Sequence, residues 1–211
     1  MALVKYNNNS ISAITAASGL TAGAMTLIKE QTASSSATIN FVNGTSDVVL
    51  DSTYPIYLFK FINIHPASAT YFGVNFSDYT SSHSYDLTKT STSFVAWHDE
   101  ADSATNLGYR TGYDLGQSTA LQALGGDTMS IANDNGGCGY LWLFSPSSTT
   151  YQKHFISRFK PNYSGGSDPY THDGYTSGYV NTTSAVTAVQ FKMNSGNIDA
   201  GTIKLYGIKD S

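Results

Sequence analysis

Charge is scarce in this chain. Only 12% of its 211 residues are Asp, Glu, Lys or Arg, about half the share of an ordinary soluble domain. Its water-facing positions must therefore draw mainly on Ser, Thr, Asn and Gly. Arginine occurs twice, at Arg110 and Arg158, and no Lys/Arg cluster exists in a chain of net charge −4. Binding a phosphate backbone needs several cations on one face, so nucleic acid is not an expected partner. Glutamate also occurs only twice, at Glu30 and Glu100, and the aspartates do not alternate closely with either along one strand face. The flanking carboxyl pair that glycoside hydrolysis requires is not written in the chain. Cys138 is the one cysteine, which excludes an internal disulfide and any dependence on an oxidising compartment. No run of roughly 18 apolar residues is present, so a transmembrane helix is excluded. After Lys5 come Asn7, Asn8 and Asn9, not the apolar core of a signal peptide. Folding in a cytoplasm is expected, and triplets such as Asn43-Gly44-Thr45 and Asn181-Thr182-Thr183 then carry no glycosylation meaning.

Motifs for chemistry are equally sparse. The histidines His65, His83, His98, His154 and His172 show neither His-x-x-x-His nor His-x-His spacing, so no local metal motif exists. His98-Asp99-Glu100 is the densest polar cluster, but strand neighbours point to opposite faces, and a strand-end turn is expected there. Asn133-Asp134-Asn135-Gly136 lacks the ligand spacing of a calcium loop and reads as a turn. Cys138, inside Gly136-Gly137-Cys138-Gly139, reads as a small residue in a glycine-rich turn. No Gly-x-Ser-x-Gly elbow and no phosphate-cradling glycine loop occur. No catalytic residue, metal ligand or cofactor site is assigned, and the chain reads as non-enzymatic.

Glycine (19) and tyrosine (15) are plentiful, as suits strands joined by turns. Thr38–Val42, then Asn43-Gly44, then Val48–Leu50 reads as a hairpin, because Asn-Gly accepts the positive φ such turns need. The segment from Tyr54 to Ile64 places Tyr57, Phe59 and Phe61 on one face and Ile56, Leu58, Ile62 and Ile64 on the other. A strand apolar on both faces belongs mid-sheet, with a second sheet on one side and another subunit on the other. Further strands are expected at 70–77, 92–98, 139–145, 153–159 and 175–181. Alternation also marks 189–194 (Val189, Phe191, Met193 against Gln190, Lys192, Asn194) and 202–206. Only 113–124, with Leu115, Ala120, Leu121 and Leu124 ahead of Gly125-Gly126, has a helical pattern. The expected fold is all-β: one jelly-roll or related β-sandwich domain over 27–211, of roughly 8–10 strands with one short helix.

Residues 1–26 are small and polar, with Leu3, Val4, Ile11, Ile14 and Leu20 spaced apart. Gly, Ser and Thr oppose a helix here. The segment reads as an extended N-terminal arm: either a frayed terminus or first edge strand, or an anchor docking on a neighbouring subunit. In 160–180, Tyr163, Tyr170, Tyr175 and Tyr179 sit among Gly and Ser. That composition suits a recognition loop for a surface ligand, and it equally suits a subunit contact.

Several runs carry a resemblance: Phe59-Lys60-Phe61-Ile62-Asn63-Ile64-His65-Pro66, Phe144-Ser145-Pro146-Ser147-Ser148-Thr149-Thr150 with Lys153-His154-Phe155, Gly178-Tyr179-Val180-Asn181-Thr182-Thr183-Ser184-Ala185, and Ser195-Gly196-Asn197-Ile198 with Gly201-Thr202-Ile203-Lys204-Leu205-Tyr206-Gly207-Ile208. Spread over most of 27–208, they resemble a group of structural proteins encoded by tailed bacteriophages of marine bacteria. The resemblance implies a virion component with a jelly-roll-like body. Two roles fit it. One is a capsid decoration or cement protein, a homo-oligomer with a trimer favoured, gripping other virion proteins through the arm. The other is a tail-associated receptor-binding or carbohydrate-binding module, whose partner would be a host-surface glycan. Neither involves membrane insertion.

Overall fold

A computed structural model describes residues 24–163 and 170–209. The described residues form thirteen strands: β1 (Met25–Ser36), β2 (Ile39–Val42), β3 (Ile56–Pro66), β4 (Phe72–Ser77), β5 (Lys89–Asp99), β6 (Thr105–Tyr109), β7 (Gln122–Ala123), β8 (Gly137–Phe144), β9 (Lys153–Lys160), β10 (Asn162–Tyr163), β11 (Tyr170–Val180), β12 (Ala188–Met193) and β13 (Ile198–Ile208). They pair antiparallel into two sheets. The larger runs β1-β13-β3-β8-β9-β11-β5-β6, with β10 beside β11, and the smaller runs β2-β12-β4-β7.

Setting aside β5–β6 and β9–β11, the remaining eight strands form two four-stranded sheets, β1-β13-β3-β8 and β2-β12-β4-β7. Along these eight, the chain changes sheet at every step except β4 to β7. That order is a jelly roll, two Greek keys rolled together. The insertions β5–β6 and β9–β11 extend one of its sheets sideways; β9 still lies under the smaller sheet, its Phe155 and Phe159 packed against Phe76 and Phe72 of β4. The all-β sandwich expected from the sequence is therefore the fold.

The core lies where the small sheet covers the inner face of the large one. Phe191 on β12 is at its centre, edge-on to Phe59 and Phe61 at ring separations of 5.1 Å and stacked on Phe72 at 5.8 Å. Edge-to-face and offset contacts of this kind add to the apolar area already buried. Val189 and Met193 join Phe191, as their alternation foretold. Two lysines are fully buried as well. Lys89 and Lys153 are the register partners of Val180 on opposite sides of β11. The Lys89 ammonium donates to the Leu87 carbonyl at 2.9 Å, and that of Lys153 to the Tyr151 carbonyl at 3.0 Å.

Several expectations need correction. No helix forms over 113–124. Ser118 exchanges backbone hydrogen bonds with Lys89, the Leu115 carbonyl accepts from Ser91, and Gln122–Ala123 becomes β7 against β4. Pairing with strand edges overrides a weak local preference for helix. The Asn43-Gly44 turn does not make a hairpin. Gly44 takes φ +76°, but β2 pairs with β12, and 48–50 fold under the core as irregular chain with Val48 and Leu50 buried. Ile64 does not share a face with Leu58: a bulge between Phe61 and Ile64, with Asn63 at φ 51°, rotates it into the core. Cys138 lies in β8, not in a turn, and is exposed. Its flanking glycines serve the sheet, since a Cβ on Gly137 would stand 2.1 Å from the Phe159 ring. Met25 and Thr26, the last two residues of the expected 1–26 arm, pair with β13. The arm residues Leu3, Val4, Ile11, Ile14 and Leu20 lie outside the described residues.

Candidate functional site

Two surfaces stand out, one on each face of the large sheet. The outer face is the one the small sheet leaves open. Cross-strand register aligns Leu27, Tyr206, Leu58, Trp142 and Ile156 in a row over β1, β13, β3, β8 and β9. Beside it, Met25, Ile208, Ile56 and Phe144 align in a second row. At about 4.8 Å between strands, the first row is roughly 20 Å long. Ile156 is 48% exposed although it sits mid-sheet. A third row carries Tyr140, Arg158, Tyr175, Phe94 and Tyr109. There Arg158 forms a two-pronged ion pair with Asp173, Nε to Oδ1 at 2.8 Å and an Nη to Oδ2 at 2.6 Å. It also lies 5.2 Å from the centre of the Tyr175 ring, which in turn stacks flat on Phe94 at 4.9 Å. The hydrogen bond from Arg158 holds the Asp173 carboxyl below its usual range. Where Ser177 and Thr92 interrupt the rows, a shallow groove of about 590 Å³ opens, rimmed by His154, Ile156 and Tyr179.

The inner face of the extension carries the second surface, a cleft of about 320 Å³. Trp97 on β5, Asn106 on β6, Tyr163 on β10 and Tyr170 and His172 on β11 line it, with Arg110 and Asp127 from loops. Asp127 is brought there by the glycine pair before it. A Cβ on Gly174 would stand 2.3 Å from the Gly125 carbonyl oxygen, and one on Gly126 (φ +65°) 2.7 Å from Val95. Only glycine lets the loop cross this close to β11 and β5. Arg110 then holds Asp127 at 3.0 Å. The His172 ring stacks on Tyr163 at 5.0 Å with an interplanar angle of 6°, and Tyr170 packs on Trp97 at 5.0 Å. The His172 side chain is 3% exposed, and its Nδ1 is 3.7 Å from an Asp127 oxygen, too far for a hydrogen bond. That nitrogen is buried with no partner among the described residues. Burial holds the imidazole below its usual range. Asp127 opposes that shift and Arg110 reinforces it.

The four tyrosines singled out from the sequence are thus divided. Tyr163 and Tyr170 line the inner cleft, whereas Tyr175 and Tyr179 stand on the outer face, because residues of opposite parity on one strand point oppositely. They make no single loop, since Tyr170–Val180 is one strand. Trp97, Asn106, Arg110, Asp127 and His172 escaped sequence reasoning because they converge from four separate segments. One signal was available: both arginines of an arginine-poor chain end in carboxylate pairs, Arg110 with Asp127 and Arg158 with Asp173.

Two polar clusters singled out from the sequence form turns. Asp99 caps the β5–β6 turn, accepting from the backbone of Ser103 at 2.9 Å and of Ala104 at 3.1 Å and from the Ser103 hydroxyl. The sequence placed a turn there. Asn133–Gly136 is also a turn, closed by the Asn135 amide on the Ala132 carbonyl. Among the described residues, no three His, Cys, Asp or Glu side chains are grouped to hold a metal ion, and no helix is long and apolar enough to cross a membrane. The geometry defines a jelly roll with one widened sheet, an apolar outer face and an aromatic inner cleft. No protein-family model, curated protein or solved structure matches the chain.

Proposed function

We propose that this chain is a non-enzymatic structural subunit of a tailed-phage virion, a capsid decoration protein that assembles through the outer face of its large sheet. The observation that carries this reading is the in-register row Leu27, Tyr206, Leu58, Trp142 and Ile156 on a face that no other described element covers, with Leu27 49% and Ile156 48% exposed and Leu58 itself buried. Monomers rarely leave contiguous apolar patches of such extent open, because burying them against a partner is favourable. The occupant is a second copy of the chain. Two of the charges bordering the patch are matched within each copy, Lys204 with Glu30 at 2.9 Å and Arg158 with Asp173, while Lys60 lies over the Tyr206 ring. A face meeting its own copy gives a two-fold contact, whereas a face meeting a neighbour's flank closes a ring such as a trimer, and the matched charges permit either without strong repulsion. The resemblance of its sequence runs to marine phage structural proteins supports the setting, and the N-terminal arm is the proposed grip on the shell.

Antibody raised against the chain and coupled to gold, applied to intact particles of the encoding phage, tests this. Label spread over the head is the expected result. Label confined to the tail would replace the decoration role with the second reading, a tail-associated carbohydrate-binding module, which the inner cleft favours. Label absent from particles would overturn both.

A further inference from the structure

We infer that the inner cleft between β5, β6 and β11 binds a neutral saccharide, a site separate from the assembly face. Three features of the cleft converge on that chemistry. Its walls are aromatic, with Trp97 and Tyr170 set at 65° to one another, and flat rings cover the C–H faces of sugars while excluding water. Its polar groups are planar and paired. The Asp127 carboxylate and Arg110 guanidinium lie side by side at 3.0 Å, an acceptor next to a donor, which is the pattern that neighbouring sugar hydroxyls satisfy. Asn106, exposed at the rim, adds an amide that both donates and accepts.

The third feature is the unsatisfied one. His172 Nδ1 is buried without a partner, 3.7 Å from Asp127. Leaving a buried polar atom unpaired costs about 1–3 kcal/mol. A hydroxyl seated beside both groups would donate to the carboxylate and accept from the imidazole in the tautomer that carries its proton on Nδ1. Hydroxyls do both at once, whereas carboxylates and ammonium groups do not. Because Arg110 and Asp127 cancel one another, the cleft offers no net charge to an ionic ligand. At about 320 Å³ it is at the small end of ligand sites and suits a single sugar ring, so a longer glycan would present one residue to it. The cleft is on the face opposite the apolar rows, so an assembled subunit would keep it open to solvent.

The test is saturation-transfer NMR on the full chain with glucose, galactose, mannose and N-acetylglucosamine, and sialic acid as the anionic control. At least one neutral sugar should receive saturation and change the tryptophan fluorescence. Asn106→Ala and Asp127→Asn should each weaken that binding by at least roughly tenfold. Asn106 is exposed, so its variant should keep the wild-type unfolding temperature, which separates lost binding from lost fold. Trp142→Phe, on the other face, should bind normally. The inference is overturned if none of the four neutral sugars binds, if sialic acid alone binds, or if binding survives unchanged in both cleft variants.

Discussion

Phe191 touches more of the core's aromatic rings than its place in a six-residue strand suggests. It meets Phe41, Phe59, Phe61 and Phe72 within 6.1 Å. Truncation to alanine should cost about 3–5 kcal/mol, read as a lowered urea midpoint. A loss well below that would mean the sheets close over the gap. The buried lysines make a different prediction. Burial lowers Lys89 from 10.5 to about 8 and lowers Lys153 in the same direction. Below about pH 8 the Lys89 ammonium is charged in both folded and unfolded chains, and the burial penalty is fully present. Between about pH 8 and 10 the folded chain releases that proton while the unfolded chain keeps it, so stability should rise with pH in that window. Above about pH 10 the direction reverses, because burial raises Tyr57 and an unfolded tyrosine ionises first. Urea titrations from neutral pH to pH 10 check this, and flat or falling stability would contradict it.

At the scale of elements, alternation was legible in β12 and β13, where the dry face is apolar, but not in β9, whose dry face includes a lysine and a serine. In β9 the buried residues Lys153, Phe155, Ser157 and Phe159 alternate strictly with exposed ones. The bulge in β3, the extended path of 113–124 and the failure of Asn43-Gly44 to make a hairpin were not legible. Each depends on what the segment meets across the fold, and a single-chain pattern records only periodicity. Glycine spacing hides similar information. Gly137 reads as a turn residue and Gly139 as the edge of a strand, yet both are inside β8, where strand β9 lies against them. A Cβ on Gly139 would stand 2.3 Å from the Arg158 carbonyl oxygen. Gly139→Val should therefore break the β8–β9 pairing and leave the chain insoluble or molten, whereas Cys138→Ser, on the exposed side, should change the unfolding temperature little. Circular dichroism and thermal melts of both variants distinguish these outcomes.

For the whole molecule, the jelly-roll order explains why two insertions could be accepted. β5–β6 and β9–β11 add to the edge of an existing sheet and leave the eight-stranded frame closed. The widened sheet then has an inner face that the small sheet does not reach, which becomes the cleft, and an outer face broad enough for assembly. The two-faced apolar segment at Ile56–Ile64 made the apolar character of the outer face legible in the sequence. The sequence could not announce the cleft, whose residues lie 75 positions apart from Trp97 to His172 and meet only through strand order. Assembly is the central claim, and multi-angle light scattering of the full chain tests it most directly, with Trp142→Asp and Ile156→Asp alongside. The wild type should run as a closed oligomer, with a trimer favoured, and both variants as folded monomers. A wild-type monomer at micromolar concentration, or an oligomer unchanged by either aspartate, would contradict it.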